Sequence, residues 1–230
     1  MEKYLRKLGD RLRETGYQGP VLIILSHGGV APIDEAVRLA AGTVLSGPAG
    51  GVAGSRYGSS LIGAENLVPF DMGGTSTDIS MIVNGEPALS STRGIAGQRV
   101  ALQSLDIVSI ASGGGSIARV DNGGILRVGP ESAGAVPGPA CYGKGGVEVA
   151  VTDASVVLGF LDPNNFLGGR ESLDKEAAEV AVDKLASKLS VSRAEAAEGV
   201  HRVINTQMAE GIRLVSVRRG VDPRKFALLS

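Results

Sequence analysis

The sequence has almost none of the residues that build disulfide frameworks or zinc sites. Cys141 is the one cysteine among 230 residues, which excludes an internal disulfide and any cysteine-based zinc site and fits a reducing cytosol. With only His27 and His201, neither a histidine-rich metal site nor a Ser-His-Asp arrangement can be assembled. We therefore expect Cys141 to be a small buried hydrophobe, His27 to be a hydrogen-bonded turn residue and His201 to lie at the surface.

Aromatic residues and charge of one sign are also scarce. Aromatic residues make up 3% of the chain, tryptophan is absent, and the formal net charge is −1. Because a basic footprint and a base-stacking platform are both missing, we expect no nucleic-acid partner. No apolar run approaches the roughly 20 residues of a membrane span, and the charged start of the chain does not match a signal peptide. We therefore expect a cytoplasmic protein without a membrane partner.

Glycine, by contrast, is abundant, with 34 of the 230 residues, about twice its average share. The glycines form short groups without a collagen-like period, which indicates many tight turns around a ligand. These groups are Gly28-Gly29, Gly47 to Gly51, Gly73-Gly74, Gly113 to Gly115, Gly123-Gly124 and Gly143 to Gly146.

The most informative group lies in residues 70–80, where an apolar strand runs into an acid, two glycines and three hydroxyl residues before a strand resumes. Gly73 and Gly74 lack Cβ atoms, so their amide groups can approach an oxyanion closely, and the hydroxyls add donors. Asp71 would repel a phosphate unless a cation lay between them, which indicates a phosphate with Mg²⁺. The alternative is a tight β-hairpin, because Gly-Gly with Asp and Thr is ordinary turn chemistry. A second acid, Asp78, favours phosphate binding over the plain turn.

A second segment, residues 106–117, repeats the pattern of an apolar strand that enters a donor-rich glycine loop. Three consecutive glycines are entropically unfavourable in an ordinary connection, so we interpret Gly113, Gly114, Gly115 and Ser116 as a ligand-facing loop. Residues 138–145 almost match a P-loop. However, that motif needs Ser or Thr at position 145 and a helix directly after it, whereas glycine and β-favouring residues are present. Lys144 is therefore expected to be a solvated loop residue.

Hydrophobic periodicity predicts an α/β protein with a mixed sheet. Helices are predicted over residues 2–15, 32–41 and 173–189, and over a small-residue stretch that follows 46–51 and runs through 62. Another helix is predicted where Thr152 and Asp153 can form a cap, and it includes Phe160 and Leu161. A long helix is predicted to begin at a Ser192/Glu195 capping box and to run through 215. Strands are predicted over 21–25, 67–71, 79–83 and 87–91 around an Asn84-Gly85 turn, 117–120 and 125–128 around a second turn, and from 226 onward. The first strand is expected to be buried on both faces of a parallel sheet, with 26–29 at its ligand-binding end, and 130–146 to be irregular.

The run from Asp71 to Asp78, Asp-x-Gly-Gly-Thr-x-Thr-Asp, resembles the phosphate loop of the actin, Hsp70 and sugar-kinase superfamily, in the form carried by the hydantoinase/oxoprolinase A-subunit family. The resemblance extends almost continuously over residues 22–230, and its specific stretches are 46–52, 70–80, 106–120, 128–146 and 152–161. It implies RNase-H-like sub-domains that clasp ATP between them. Residues 1–64 would then be the tail of the first actin-like sub-domain with a connecting helix, and residues 65–230 the second, incomplete at its C-terminus and with a glycine-rich β insert.

The resemblance also implies an activity. Members of the family cleave cyclic amides such as hydantoins and 5-oxoproline with ATP and Mg²⁺, by transferring a phosphoryl group to the carbonyl oxygen before a partner B-type subunit or region completes ring opening. An oligomeric full-length protein is implied as well. By analogy, the nucleotide phosphates would be held by Gly73, Gly74, Thr75 and Thr77. The reacting group and Mg²⁺ would be oriented by Asp71 and Asp78, with Asp71 as the metal ligand. The cleft would be completed by Gly113, Gly114, Gly115 and Ser116.

Three functions remain open on the sequence: an ATP-dependent cyclic amide hydrolase, a subunit of an ATP-dependent ketone carboxylase, and a non-catalytic actin-like nucleotide switch. The sequence does not separate the first two, because both phosphorylate a carbonyl or its enolate. The family's other phosphate loop and its glycine-rich adenosine-binding segment are not found among the 230 residues. We therefore expect a fragment that binds ATP weakly and turns nothing over by itself.

Overall fold

The computed structural model describes residues 1–95 and 97–230 and has a mixed α/β architecture, as the hydrophobic periodicity predicts. In chain order the elements are α1 (Glu2–Glu14), β1 (Leu22–Ile24), β2 (Val30–Pro32), α2 (Ile33–Arg38), α3 (Ser46–Ile62), β3 (Leu67–Met72), β4 (Thr77–Ile79), β5 (Ile82–Val83), β6 (Glu86–Pro87), β7 (Leu89–Ser90), β8 (Arg93–Ile95), β9 (Gln98–Val100), β10 (Ser104–Leu105), β11 (Val108–Ile110), β12 (Ser116–Val120), β13 (Leu126–Ser132), α4 (Val151–Val157), α5 (Lys175–Leu189), α6 (Arg193–Ser216) and β14 (Ala227–Leu229). Short 3₁₀ helices occupy Ala40–Thr43, Ala140–Tyr142, Val217–Arg219 and Pro223–Lys225.

The chain divides into two compact units. The first contains residues 1–71, 79–108 and 219–230, and the second contains residues 72–78 and 109–218. This division differs from the predicted boundary between residues 64 and 65. The assignment of the two predicted segments to actin-like sub-domains stays a prediction.

In the first unit, β3 has both parallel and antiparallel neighbours. β14 pairs with it in parallel from Leu67 to Pro69, and β5 pairs with it antiparallel at Leu67. β5 and β6 form the predicted hairpin, whose turn residues Asn84 and Gly85 both have positive φ, 52° and 77°. Positive φ at both central positions is what a type I′ turn requires and what the Asn-Gly dipeptide favours. Local turn chemistry therefore predicted the turn correctly, but the strands that it joins are two residues each and shorter than the predicted 79–83 and 87–91.

The apolar run at the start of the first unit folds differently from the prediction. β1 pairs antiparallel with β2, and Leu22 and Ile24 are 50% and 37% exposed while Leu25 is buried. The prediction of a strand buried on both faces of a parallel sheet was therefore wrong, because five apolar residues carry no information about strand direction or about which faces are covered. The following four residues form the hairpin turn instead of a ligand-binding strand end. His27 accepts a hydrogen bond from the Gly29 amide at 3.1 Å, which confirms it as a turn residue.

The second unit packs three helices on the β12–β13 hairpin. Its core contains Ala118 and Val128 of the strands, Val149, Val151 and Ala154 at α4, Ala181, Val182 and Leu185 of α5, and Ala197, Val200 and Ile204 of α6. α6 begins at the predicted capping box, in which the Ser192 hydroxyl accepts from the Glu195 amide and the Glu195 carboxylate accepts from the Ser192 amide. Cys141 is fully buried, as predicted. None of the helices within the described ranges is long and apolar enough to span a bilayer.

The helix predicted around residues 152–161 needs correction at both ends. α4 begins at Val151, so Thr152 and Asp153 lie inside its first turn and do not cap it from outside. The Asp153 carboxylate reaches back to accept from the Ala150 amide at 2.8 Å. The helix ends at Val157, and Gly159, with a φ of 74°, turns the chain away before Phe160. Phe160 and Leu161 therefore follow the helix, because glycine in a left-handed conformation ends a helix.

Candidate functional site

The loop from Gly73 to Ser76 is a tight turn between β3 and β4. The Gly73 amide donates to the Ser76 carbonyl at 2.9 Å, which closes the turn. Gly74 and Thr75 are exposed. The amides of Gly74, Thr75 and Ser76 and the hydroxyls of Thr75 and Ser76 have no hydrogen-bond partner in the described part of the chain. The loop therefore presents a group of unused donors at the surface of the second unit.

Thr77, at the start of β4, is in a different environment from Thr75. It is fully buried, and its hydroxyl donates to the Ser112 carbonyl at 2.5 Å. The Ser112 hydroxyl in turn donates to the side-chain oxygen of Gln207 on α6, at 2.9 Å. The Gln207 amide group donates to the Val128 carbonyl at 3.0 Å. This network ties one end of the loop to β13 and α6, and it uses the hydroxyl that the sequence assigns to a phosphate.

The two acids of this sequence, Asp71 and Asp78, have no partner among the residues that the structure describes. Asp71, near the end of β3, is exposed and forms no hydrogen bond or ion pair with any residue in the described ranges. The Oδ1 atom of Asp78 is buried and also lacks a partner there. A buried carboxylate oxygen without a donor or cation is energetically unfavourable, so the Asp78 oxygen is available to accept from water or a ligand.

The two acids are not part of a metal site built from side chains of the described residues alone. Among residues 1–95 and 97–230, no group of three or more His, Cys, Asp or Glu side chains could hold a metal. Mg²⁺ is usually bound by one or two carboxylates together with phosphate oxygens and water. Asp71 and Asp78 are the two carboxylates of the loop sequence that such a mode of binding could use.

The glycine segment from Gly113 to Ser116 packs against the loop. Gly114 donates to the Gly73 carbonyl at 3.0 Å, and Gly115 donates to the Gly74 carbonyl at 2.6 Å. The amides of Gly113 and Ser116 are used within the segment, by the Ser116 hydroxyl and the Gly113 carbonyl. All four amides are therefore occupied, and Gly113, Gly115 and Ser116 are buried. The free backbone donors expected of a ligand-facing loop are absent from this described segment.

Thr152 and Asp153 at the start of α4 support this arrangement, and the sequence analysis did not identify their roles. The amide and the hydroxyl of Thr152 both donate to the Gly114 carbonyl at 2.8 Å. The fully buried Asp153 carboxylate accepts from the amides of Ala140, Cys141 and Ala150. An acid at the third position of a helix is a signal for such a contact with the preceding backbone. The residues next to Asp153 in the sequence contain no pattern that predicts its hydrogen bonds with the amides of residues 140 and 141.

The remaining candidate side chains lie outside this network. Lys144 is exposed, 5.6 Å from the centre of the Tyr142 ring, in agreement with a solvated loop residue. Burial raises the pKa of the Cys141 thiol, which keeps it protonated and unreactive. His201 is half-buried, with Nε2 2.9 Å from the Ser155 hydroxyl oxygen and its ring edge-on to Phe160. The prediction that His201 lies at the surface was only partly right, because Ser155 of α4 and Phe160 after this helix cover part of the ring.

Known proteins match the whole chain. A family model described as hydantoinase/oxoprolinase matches residues 1–230. The chain is 40% identical to the caprolactamase subunit alpha of Pseudomonas jessenii, over 100% of this chain and 33% of that protein. It is 41% identical to 5-oxoprolinase 1 of Arabidopsis thaliana, over 98% of this chain and 18% of that protein.

Two solved structures have the same fold. Nucleotide-free acetone carboxylase, described with a mechanism of ATP-dependent acetone carboxylation, superposes with a TM-score of 0.88 at 30% identity, over 100% of this chain and 32% of that one. ATP-dependent caprolactamase from Pseudomonas jessenii superposes with a TM-score of 0.82 at 39% identity, over 98% of this chain and 33% of that one. The chain thus spans about a third of the length of the first relatives it matches. On the match of the family model over its full length, the chain belongs to the hydantoinase/oxoprolinase family.

Proposed function

We propose that this chain forms the phosphate-binding part of an ATP-dependent enzyme that hydrolyses cyclic amides. The observation that carries the proposal is the group of donors on Gly74, Thr75 and Ser76 that no described residue uses, in a sequence with two acids that also have no partner among the described residues. Backbone amides in a glycine turn, with hydroxyls next to them, suit the oxygens of a phosphate chain. The caprolactamase relative supports ATP as the source of that phosphate, since that protein is described as ATP-dependent.

The residues would have different roles in this reaction. The exposed amides of Gly74 and Thr75 and the Thr75 hydroxyl would donate to phosphate oxygens, while Asp71 and Asp78 would hold and orient Mg²⁺ or the reacting group. Gly73 and Thr77 would shape the loop, because the amide of the first closes the turn and the hydroxyl of the second is used by Ser112. Bound ATP would supply the phosphoryl group that activates the carbonyl oxygen of the substrate. Positioning and charge neutralisation account for most of such catalysis.

The finer fold assignment belongs to the same proposal. An RNase-H-like sub-domain of the actin type places a glycine turn between two strands, and the loop between β3 and β4 has that position in the chain. The mixed pairing of β3 with β5 and β14 is consistent with such a sheet. In that arrangement the nucleotide would also need groups from a second sub-domain, and ring opening would need a partner subunit or region, as the word "subunit" in the name of the caprolactamase relative suggests.

A ketone carboxylase subunit is the second candidate, and one observation favours it. The TM-score with acetone carboxylase, 0.88, exceeds the value of 0.82 with caprolactamase, although the sequence identity is lower. Both reactions can begin with phosphorylation of a carbonyl oxygen or its enolate. The same loop would therefore serve either enzyme, and the substrate would distinguish them.

Phosphate release by the full-length protein that carries these residues, together with its partner, tests the proposal. Hydantoin, 5-oxoproline and caprolactam should stimulate release from ATP in a cyclic amide hydrolase, whereas a ketone with bicarbonate should stimulate it in a carboxylase. Asp71→Ala should abolish release in either case. Asp10→Ala, which removes an exposed carboxylate of α1, is the control and should leave release unchanged. Turnover near the wild-type level in Asp71→Ala would show that the role given to this acid is wrong.

A further inference from the structure

The outward direction of the loop amides follows from the bonds on the opposite side of the same peptide units. In a planar trans peptide, the carbonyl and the following N–H point in opposite directions. The Gly73 and Gly74 carbonyls are directed at the glycine segment, because they accept from the amides of Gly114 and Gly115. The N–H groups of Gly74 and Thr75 must therefore point away from that segment. Two backbone hydrogen bonds thus aim two donors outward.

This contact exists only because Gly113 and Gly115 have no Cβ atoms. A Cβ on Gly113 would lie 2.7 Å from the Gly73 carbonyl oxygen and from the backbone nitrogen and carbon of Thr75. A Cβ on Gly115 would lie 2.7 Å from the Gly74 carbonyl oxygen. These are backbone atoms, which cannot rotate away as a side chain can. Neither glycine has a left-handed φ, so the requirement for glycine is one of close approach.

The glycine segment is also fixed in place by hydrogen bonds from Thr152 and Thr77. The Thr152 amide and hydroxyl both donate to the Gly114 carbonyl, and the Ser112 carbonyl accepts from Thr77. The position of the segment is therefore set by α4 on one side and by the loop on the other. A carbonyl held by two donors resists rotation of its peptide unit, which also fixes the direction of the Gly115 amide.

We propose that Gly113, Gly114 and Gly115 are positioning residues, which aim the Gly74 and Thr75 amides at the phosphate and do not contact the nucleotide. The identity of the ligand rests on the proposed function, whereas the direction of the amides does not. A second phosphate loop would contact the nucleotide itself. Loss of the positioning role should instead weaken nucleotide binding indirectly, because the amides of Gly74 and Thr75 would point in the wrong direction. Thr152 is also a positioning residue, because it fixes the glycine segment that in turn directs the loop amides.

The nucleotide-free protein tests the positioning role first. In the 230-residue chain, amide exchange measured by NMR should be slow at Gly114 and Gly115 and fast at Gly74 and Thr75. Gly113→Ala and Gly115→Ala should each raise exchange at residues 114 and 115 about tenfold or more, because displaced peptide units lose their hydrogen bonds. Gly54→Ala is the matched control, since a Cβ at this α3 position meets no atom within 4 Å. Unchanged exchange at 114 and 115 in folded Gly113→Ala and Gly115→Ala proteins would overturn the proposal.

A titration with Mg·ATP then tests the consequence for binding. The resonances of Gly74, Thr75 and Ser76 should shift with nucleotide, while Gly114 and Gly115 keep their slow exchange. In the full-length protein, the two alanine variants should raise Kd about tenfold, the effect of losing one hydrogen bond to a charged group, and Gly54→Ala should not. Equal Kd values for all four proteins would overturn the proposal. If the wild type shows the expected exchange pattern but the full-length protein does not bind Mg·ATP, the positioning of the amides stands and the proposed function fails.

A milder pair of variants covers the case in which the alanine variants do not fold. Thr152→Val removes one of the two donors to the Gly114 carbonyl and keeps the shape of the side chain, whereas Thr152→Ser keeps the donor. Thr152→Val should speed exchange at Gly115 and raise Kd for Mg·ATP, and Thr152→Ser should behave like the wild type. Identical exchange and binding in both variants would contradict a role for this residue in positioning the loop.

Discussion

At the scale of single residues, Thr75 and Thr77 show that two identical side chains of one motif can have different roles. Thr77→Val should lower the free energy of unfolding by about 1–3 kcal/mol, because it leaves the buried Ser112 carbonyl without its donor. Thr75→Val should change it by less than about 0.5 kcal/mol, since the residue is exposed and its hydroxyl has no partner in the described chain. Urea denaturation measures both values.

Nucleotide binding should rank the same two variants in the opposite way. Thr75→Val removes a donor that faces solvent and should weaken Mg·ATP binding without loss of stability. Thr77→Ser keeps the hydroxyl and serves as the control for Thr77→Val. If Thr77→Val left stability unchanged but abolished binding, the hydroxyl of Thr77 would contact the nucleotide, and its assignment to the Ser112 carbonyl would be wrong.

At the scale of elements, the packing of α4 against α6 should make stability depend on pH. Burial lowers the pKa of His201 below its ordinary value, which is about 6.5 in an unfolded chain. The unfolded state therefore binds the proton more readily, so this contribution to stability is complete above pH 6.5 and is lost as the pH falls through the lower folded pKa. Urea denaturation between about pH 5 and pH 8, the range in which histidine titrates, should show the free energy of unfolding fall toward the acidic end. His201→Gln, which cannot titrate, should flatten it.

Elements with local chemical signals were predicted well, whereas those defined by distant contacts were not. The Asn84-Gly85 turn and the Ser192/Glu195 capping box are specified by adjacent residues, and the structure contains both. The direction of β1 depends on its partner strand, which an apolar run cannot reveal. The three consecutive glycines from Gly113 to Gly115 indicated that another group lies too close to this backbone for a Cβ atom. The sequence could not show that the approaching group is the backbone of residues 73–75, because a ligand and a second loop impose the same requirement for glycine.

At the scale of the whole molecule, the chain should bind ATP weakly and turn nothing over. It spans about a third of the length of its relatives, and the proposed donors of its loop would contact only the phosphates of a nucleotide, with no group assigned to the adenosine. Calorimetry with Mg·ATP should therefore give a Kd no tighter than about 1 mM, the weak end of specific affinities, and amides should not stimulate phosphate release. The full-length protein under the same conditions is the control. Micromolar binding or amide-dependent release by the 230-residue chain would mean that its loop, with Asp71 and Asp78, is sufficient for function without the remaining two thirds of its relatives.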